Sequence, residues 1–134
     1  MSARQDDAPT RAALARRAAA AQGLSLLVLF GSRARGDAGR EADWDLGYLA
    51  QAPFDVEGFR ADVAEVVQTD RLDLVDLTRA SGLLRFRAAR DGVLIYETRP
   101  DSFEDFQVEA TQFWCDVEPV LRRAYDDVLT GVAK

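Results

Sequence analysis

The chain has 134 residues, enough for one domain with a hydrophobic core, and its net charge of −6 argues against a general nucleic-acid binder, which needs excess Lys and Arg. With no histidine and one cysteine, Cys115, the sequence excludes Ser-His-Asp and Cys-His catalysis, histidine-ligated metals and an intramolecular disulfide. The N-terminus lacks a signal-peptide pattern and no apolar run approaches the length of a membrane span, so we expect a cytoplasmic protein without membrane contact.

The first part of the chain predicts a helix and two strands separated by a glycine-containing turn. The helix is alanine-rich, can be capped by Asp7 or Thr10, and ends by Gly23. The apolar run LSLLVLF (24–30) predicts a strand covered on both faces, which stops at a Gly-Ser turn. The polar stretch RARGDAGREA (33–42) predicts a short helical turn and a loop, and DWDLGYLA (43–50) predicts a second strand.

The remaining elements alternate between helix and strand. Asp55 can cap a helix that runs to about Gln68, and RLDLVDLT (71–78) predicts a third strand. A short helix over about 80–90 ends at the turn dipeptide DG (91–92), and VLIYET (93–98) predicts a fourth strand.

A long C-terminal helix is predicted from residue 101, because apolar residues recur there every three or four positions. Pro119 removes one backbone hydrogen bond, which predicts a kink or break near Cys115. A second apolar row of Trp114, Leu121 and Tyr125 indicates either core packing or contact with a partner, and Cys115 is expected to pack as a small apolar residue.

Two aspartates, Asp43 and Asp45, lie at positions i and i+2 of the second predicted strand. Their side chains therefore share one face, with Cα atoms about 6.5–7 Å apart, and they repel each other unless a cation lies between them. Carboxylates of this kind suit Mg²⁺ or Mn²⁺, which complete their coordination with water and substrate phosphates. The pair thus predicts a metal and an anionic ligand together.

The Gly31-Ser32 turn is the candidate anion site, because glycine allows close backbone approach and the Ser32 hydroxyl can hold phosphate oxygens. Arg33 and Arg35 lie within reach of the same place, although either could instead pair with an acid of the following loop. Ser32 could also cap the next helix, which is compatible with a phosphate there.

Asp73 and Asp76 have opposite parity on the third predicted strand, so at most one faces the Asp43/Asp45 pair. Asp73 shares its face with apolar residues and would need a partner or a metal there. Asp76 lies nearer the strand end and is expected to be solvated or to cap a turn.

These motifs, in this order, resemble the DNA polymerase beta-like nucleotidyltransferase superfamily: Gly31-Ser32, ten intervening residues, Asp43-x-Asp45 and a later strand acid at Asp73. More narrowly, FGSRARG, DWDLGYLA, RLDLVDL, DGVLIYE and FEDF resemble the minimal nucleotidyltransferases that act as antitoxins beside HEPN-domain toxins. The resemblance implies an α/β (α+β) fold: a small mixed sheet of about four strands, flanked by helices, with a long C-terminal helix. It implies one domain over 1–134, with an N-terminal helix in 1–23, the catalytic sheet and helices in 24–98 and the C-terminal helix in 101–131.

The activity that the resemblance implies is nucleotidyl transfer from ATP with two Mg²⁺ ions, or Mn²⁺ in their place. Asp43, Asp45 and Asp73 would be the catalytic and metal-binding residues, with Asp73 drawing the proton from the acceptor. Gly31, Ser32, Arg33 and Arg35 would bind the nucleotide.

Related enzymes carry a second lobe for the acceptor, so we expect the acceptor here to arrive on another macromolecule. In the resembled branch that partner is a HEPN ribonuclease toxin, which receives AMP on a tyrosine, and we expect a hetero-oligomeric complex with it. Two alternatives remain open: a catalytically silent antitoxin that acts by binding alone, and a small-molecule nucleotidyltransferase completed by homodimerisation.

Overall fold

The computed structural model describes residues 7–36 and 43–131, which form five helices and four strands within those ranges. The helices are α1 (Ala8–Ala20), α2 (Ser32–Arg35), α3 (Val56–Val67), α4 (Gly82–Asp91) and α5 (Ser102–Thr130). The strands are β1 (Leu24–Phe30), β2 (Trp44–Ala50), β3 (Leu72–Asp76) and β4 (Val93–Glu97). This mixed four-stranded sheet with flanking helices and a long last helix confirms the predicted fold class.

The sheet has the strand order β3-β2-β1-β4. β1 pairs antiparallel with both β2 and β4, whereas β2 and β3 are parallel. β1 is almost entirely buried, as its unbroken apolar sequence predicted, because helices cover both of its faces.

Two hydrophobic clusters lie on opposite faces of the sheet. One joins α1 and α3 to the side chains of Trp44, Leu46 and Tyr48, which share one face of β2 as predicted. The other joins α4 and α5 to the remaining face, through Leu77, Ala88, Phe106 and Ala110 among others. Asp45, which has the opposite parity on β2, therefore lies on the α4/α5 face of the sheet.

Of the two predicted aspartate caps, one makes its capping hydrogen bond and the other does not. The Asp55 carboxylate accepts a hydrogen bond of 3.0 Å from the Gly58 N–H and caps α3. Asp7 occupies the N-cap position of α1, although its side chain makes no capping hydrogen bond there. Of the predicted loop between β1 and β2, residues 37–42 lie outside the described ranges.

Helix α5 continues without interruption through Pro119, so the predicted break near Cys115 is wrong, and the alternative, a kink there, stays a prediction. Its first turns pack on the domain, and the Trp114 ring stacks on Phe86 with ring centres 6.1 Å apart. Beyond that point Leu121 and Tyr125 are 53% and 64% exposed, and Cys115 is exposed rather than packed. No helix within the described ranges is both long and apolar enough to cross a membrane.

Gly47 of β2 is a position where the fold requires a residue without a side chain. A Cβ atom there would lie 2.9 Å from three side-chain carbons of Leu77, which is fully buried. We expect Gly47→Ala to lower the free energy of unfolding by about 1–3 kcal/mol through overpacking. Leu77→Ala alone should cost about 2–5 kcal/mol by opening a cavity.

The double variant Gly47→Ala/Leu77→Ala should lose less than the sum of the two single losses, because removing the Leu77 side chain removes the collision. Urea denaturation of the four proteins measures this coupling. Strictly additive losses would show that the two residues do not crowd each other.

Candidate active site

The sheet register brings the predicted acids together. Asp45 of β2 is paired with Phe30 of β1 on one side and with Asp73 of β3 on the other. Asp43 lies two residues before Asp45, immediately before β2 begins, and is exposed. Backbone pairing alone thus sets Asp45 and Asp73 side by side on neighbouring strands.

Gly31 directly follows β1 and approaches Asp45 closely. Its φ of 76° lies in the region that favours glycine, and a Cβ atom added there would collide with the Asp45 carboxylate. Ser32 is the first residue of α2, a helix of four residues. The predicted Gly-Ser turn therefore lies directly against one of the predicted metal ligands.

The carboxylates repel one another in this arrangement. Burial, followed by the charges of Asp73 and Asp43, raises the pKa of Asp45 above its usual value, and the Arg35 guanidinium opposes that rise. Asp73 itself is exposed, so the apolar surroundings expected for it are wrong. The acids are therefore accessible to ligands from solution.

The donor set fits a hard divalent cation. Three mutually repelling carboxylates need positive charge between them, and oxygen ligands are those that Mg²⁺ prefers. Within the described residues, no three or more His, Cys, Asp or Glu side chains are already arranged so as to hold a metal ion among them. Such a site suits an ion that takes much of its coordination from water and phosphate.

A cavity of about 490 Å³ opens beside these acids. Its walls combine residues from the end of β1, from β2 and β3, from α2 and from α4: Phe30, Gly31, Arg35, Asp45, Asp73, Val75, Leu84, Arg87, Arg90 and Asp91. The predicted Gly31, Arg35, Asp45 and Asp73 thus line one cavity.

The α4 residues of this wall were not predicted as site residues from the sequence. Leu84, Arg87 and Asp91 lie at i, i+3 and i+7, which places them on one helix face. That spacing was visible in the sequence, but nothing local shows which face of a short helix turns toward the sheet.

Arg33 lies elsewhere, although it was predicted beside the nucleotide. It is only 5% exposed, its guanidinium lies 4.2 Å from the centre of the Trp44 ring, and it pairs with Asp7 at 3.3 Å. Trp44 belongs to the α1/α3 face, so the Arg33 side chain lies on the side of the sheet away from the acids. We therefore exclude Arg33 from the candidate nucleotide site and retain Arg35.

Asp76 has the turn role that was predicted for it. Its carboxylate accepts a hydrogen bond of 2.9 Å from the Thr78 N–H, in the turn after β3. Its parity on the strand is opposite to that of Asp73, and it does not line the cavity.

The sheet, the Gly-Ser turn and the strand acids together define a nucleotidyltransferase domain. Residues 14–101 match the family described as Polymerase beta, Nucleotidyltransferase, and the chain belongs to that family.

Within this family, the chain is similar in sequence to a protein of stated activity. The chain is 34% identical over 97 residues to protein adenylyltransferase MntA of Aphanizomenon flos-aquae (strain 2012/KM1/D3). The match covers 63% of this chain and 64% of that relative, which is less than two thirds of its length.

Solved structures give wider coverage. A chain in the crystal structure of a toxin–antitoxin with AMP-PNP is 28% identical, with a TM-score of 0.68, and the match covers 87% of this chain and 93% of that chain. A chain in the structure of a tri-AMPylated Shewanella oneidensis HEPN toxin in complex with an MNT antitoxin is 26% identical, with a TM-score of 0.60, and the match covers 80% and 84% of the two chains.

The change Asp45→Asn should stabilise the metal-free protein at neutral pH. Because the folded state raises the pKa of Asp45 above 3.8, the native protein keeps this proton to higher pH than the unfolded chain does. Below about pH 4 the Asp45 carboxyl is protonated in both states and does not affect the free energy of unfolding. As pH rises through its native pKa, its ionisation lowers that free energy.

We expect the melting temperature of Asp45→Asn to equal that of wild type near pH 3.5 and to exceed it by about 1–3 °C at pH 7 in EDTA, a small effect because the group is partly solvated. Asp116→Asn, which changes an exposed carboxylate of α5, is the matched control and should show no such pH-dependent gain. A lower melting temperature for Asp45→Asn at pH 7 would contradict the repulsion.

Proposed function

We propose that this protein is an antitoxin that transfers AMP from ATP to a tyrosine of a cognate HEPN ribonuclease toxin and so neutralises it. The observation that carries the proposal is the Asp45 carboxylate, which lies between the Gly31 turn and Asp73 at the edge of a cavity. Family membership supports the chemistry, and the similarity to an adenylyltransferase and to toxin–antitoxin structures supports the substrate and partner.

Asp43, Asp45 and Asp73 are the residues that would hold the divalent cation, two Mg²⁺ ions in our proposal, with Mn²⁺ as an alternative. When bound, such ions supply positive charge to the attacking and leaving oxygens of phosphoryl transfer. The exposed Asp73 is also the proposed base, because a carboxylate is the natural choice for this role in a chain without histidine.

The nucleotide would lie along the other wall of the cavity. The backbone at Gly31 can approach a phosphate closely, the Ser32 hydroxyl can donate a hydrogen bond to it, and Arg35 can offset charge on the leaving pyrophosphate. The tyrosine oxygen attacks the α-phosphorus and forms the new O–P bond. The bond from that phosphorus to pyrophosphate breaks, and the tyrosine proton passes to Asp73.

The transfer itself is tested with labelled ATP, Mg²⁺ and the purified HEPN partner. We expect label on the partner with the wild-type protein and a loss of at least about 100-fold with Asp43→Ala/Asp45→Ala. Asp116→Asn, an exposed carboxylate outside the cavity, is the control and should retain wild-type transfer.

The alternatives give different results in the same assay. Neutralisation of the ribonuclease without label in any sample would support a silent antitoxin that acts by binding. Label on a low-molecular-weight acceptor in the absence of the partner would support a small-molecule enzyme completed by homodimerisation.

The exposed part of α5 is the proposed docking surface for the partner. Apolar side chains at helical spacing follow one side of the helix beyond the domain body and are more than half exposed: Val120, Leu121, Tyr125 and Val128. This is the pattern of a helix whose apolar side enters a groove of another protein. The exposure of Leu121 and Tyr125 within the described chain supports this proposal for that part of the second apolar row, whereas Trp114 of the same row stacks on Phe86.

Leu121→Glu should weaken binding of the HEPN partner by at least about tenfold without lowering the stability of this chain, because the residue is 53% exposed in the isolated protein. Gln112→Glu places the same charge on the opposite side of α5 and serves as the control. Calorimetric titration measures both affinities, and equal affinities for the two variants would remove α5 from the interface.

A further inference from the structure

Helix α4 contributes positively charged side chains to the candidate active site, in addition to the arginine that follows the Gly-Ser turn. The sheet and α2 contribute Asp45, Asp73 and Arg35 to the cavity, whereas α4 contributes Arg87 and Arg90. The cavity therefore carries three arginines in a chain whose net charge is −6. Three aspartates, Asp45, Asp73 and Asp91, line the same cavity, so the arginines balance the acids there and would offset their repulsion of an anionic ligand.

The two arginines of α4 differ in their partners. Arg90 is held by Asp91 through hydrogen bonds of 3.0 and 2.9 Å, and its guanidinium lies 5.4 Å from the centre of the Phe86 ring. Arg87 is exposed and, within the described ranges, makes no ion pair closer than 4.0 Å. Arg90 is thus occupied by the protein, and Arg87 has a guanidinium available to a ligand.

Arg87 and Arg35 act on a common neighbour in the cavity. The pKa of Asp91 is lowered first by its hydrogen bond with Arg90, and the charges of Arg35 and Arg87 lower it further. Arg35 also acts on Asp45. Arg35 and Arg87 therefore both lie close enough to Asp91 for their charges to act on it, so an anion between them would be attracted by both guanidinium groups.

We infer that Arg87 is a nucleotide-binding residue that contacts the triphosphate of ATP from the α4 side of the cavity. The inference rests on the proposed function, because it names a further residue of the same site. A triphosphate approaching Asp43, Asp45 and Asp73 meets like charge on three side chains, and Arg35 offsets only part of it. The planar guanidinium of Arg87 can donate two hydrogen bonds to phosphate oxygens, which a lysine cannot do in the same geometry.

A purely structural role for Arg87 gives a different expectation. An arginine in the last turns of a helix interacts favourably with the exposed carbonyl groups there, and such an effect would appear in stability and not in nucleotide affinity. Lysine satisfies that role equally well, because it places the same charge at the helix end. The variants Arg87→Gln and Arg87→Lys therefore separate the two roles.

The test is calorimetric titration of the full chain with AMP-PNP and Mg²⁺, without the partner protein, alongside melting temperatures. We expect Arg87→Gln to raise the dissociation constant about tenfold and Arg87→Lys to raise it by a smaller factor, with melting temperatures close to that of wild type. Arg60→Gln removes the same charge from α3, on the other side of the sheet, and should bind AMP-PNP like wild type.

The other possible results contradict either the inference on Arg87 alone or the proposed function as well. If wild type binds AMP-PNP and Arg87→Gln binds it equally well, the inference is wrong while the proposed function stands. If Arg87→Gln binds AMP-PNP like wild type but no longer transfers AMP to the partner, the inference is also wrong, and Arg87 would instead act on the acceptor protein. If the wild-type chain fails to bind AMP-PNP, both the proposed function and this inference fail.

Discussion

Backbone pairing between β2 and its two neighbours holds together side chains that repel each other. Asp45 is fixed opposite Phe30 on one strand and opposite Asp73 on the next, so the distance between the two acids is set by the sheet and not by their charges. The buried β1 anchors this arrangement, because its apolar side chains fill the clusters on both faces. The hydrophobic core thus supplies the free energy that keeps the carboxylates in place without a cation.

The two faces of the sheet have separate roles. Helices α1 and α3 cover one face with apolar contacts, and Asp45 lies on the other face, in the wall of the cavity. Helices α4 and α5 cover the other face only in part: α4 borders the acid-lined cavity, and α5 extends past the body with its apolar side exposed. In the proposed function the same face would therefore hold the nucleotide and present the helix that receives the partner.

The sequence was sufficient for the order of the elements and for the β2 acids, because strand alternation and the placement of glycine are local signals. Asp45 and Asp73 could be placed on neighbouring strands by resemblance, and the register confirms that placement. Side chains whose direction depends on packing were not predictable. Arg33 and Arg35 are two residues apart on a four-residue helix, and only the folded protein shows that the first lies over Trp44 and the second in the cavity. For the same reason the α4 arginines, the exposure of Asp73 and the uninterrupted course of α5 could not be derived from local patterns.

The burial of Arg33 has a consequence for the turn beside it. Ser32 and Arg33 are neighbours, and the Arg33 side chain is held on one side of the sheet by the Trp44 ring and by Asp7, the residue at the start of α1. The backbone that carries Gly31 and Ser32 is thereby restrained from behind, by residues that never meet the cavity. Binding a ligand at this turn therefore costs less conformational entropy of the protein backbone than ordering a mobile loop would. The beginning of α1 thus contributes to the preorganisation of a site with which it has no contact.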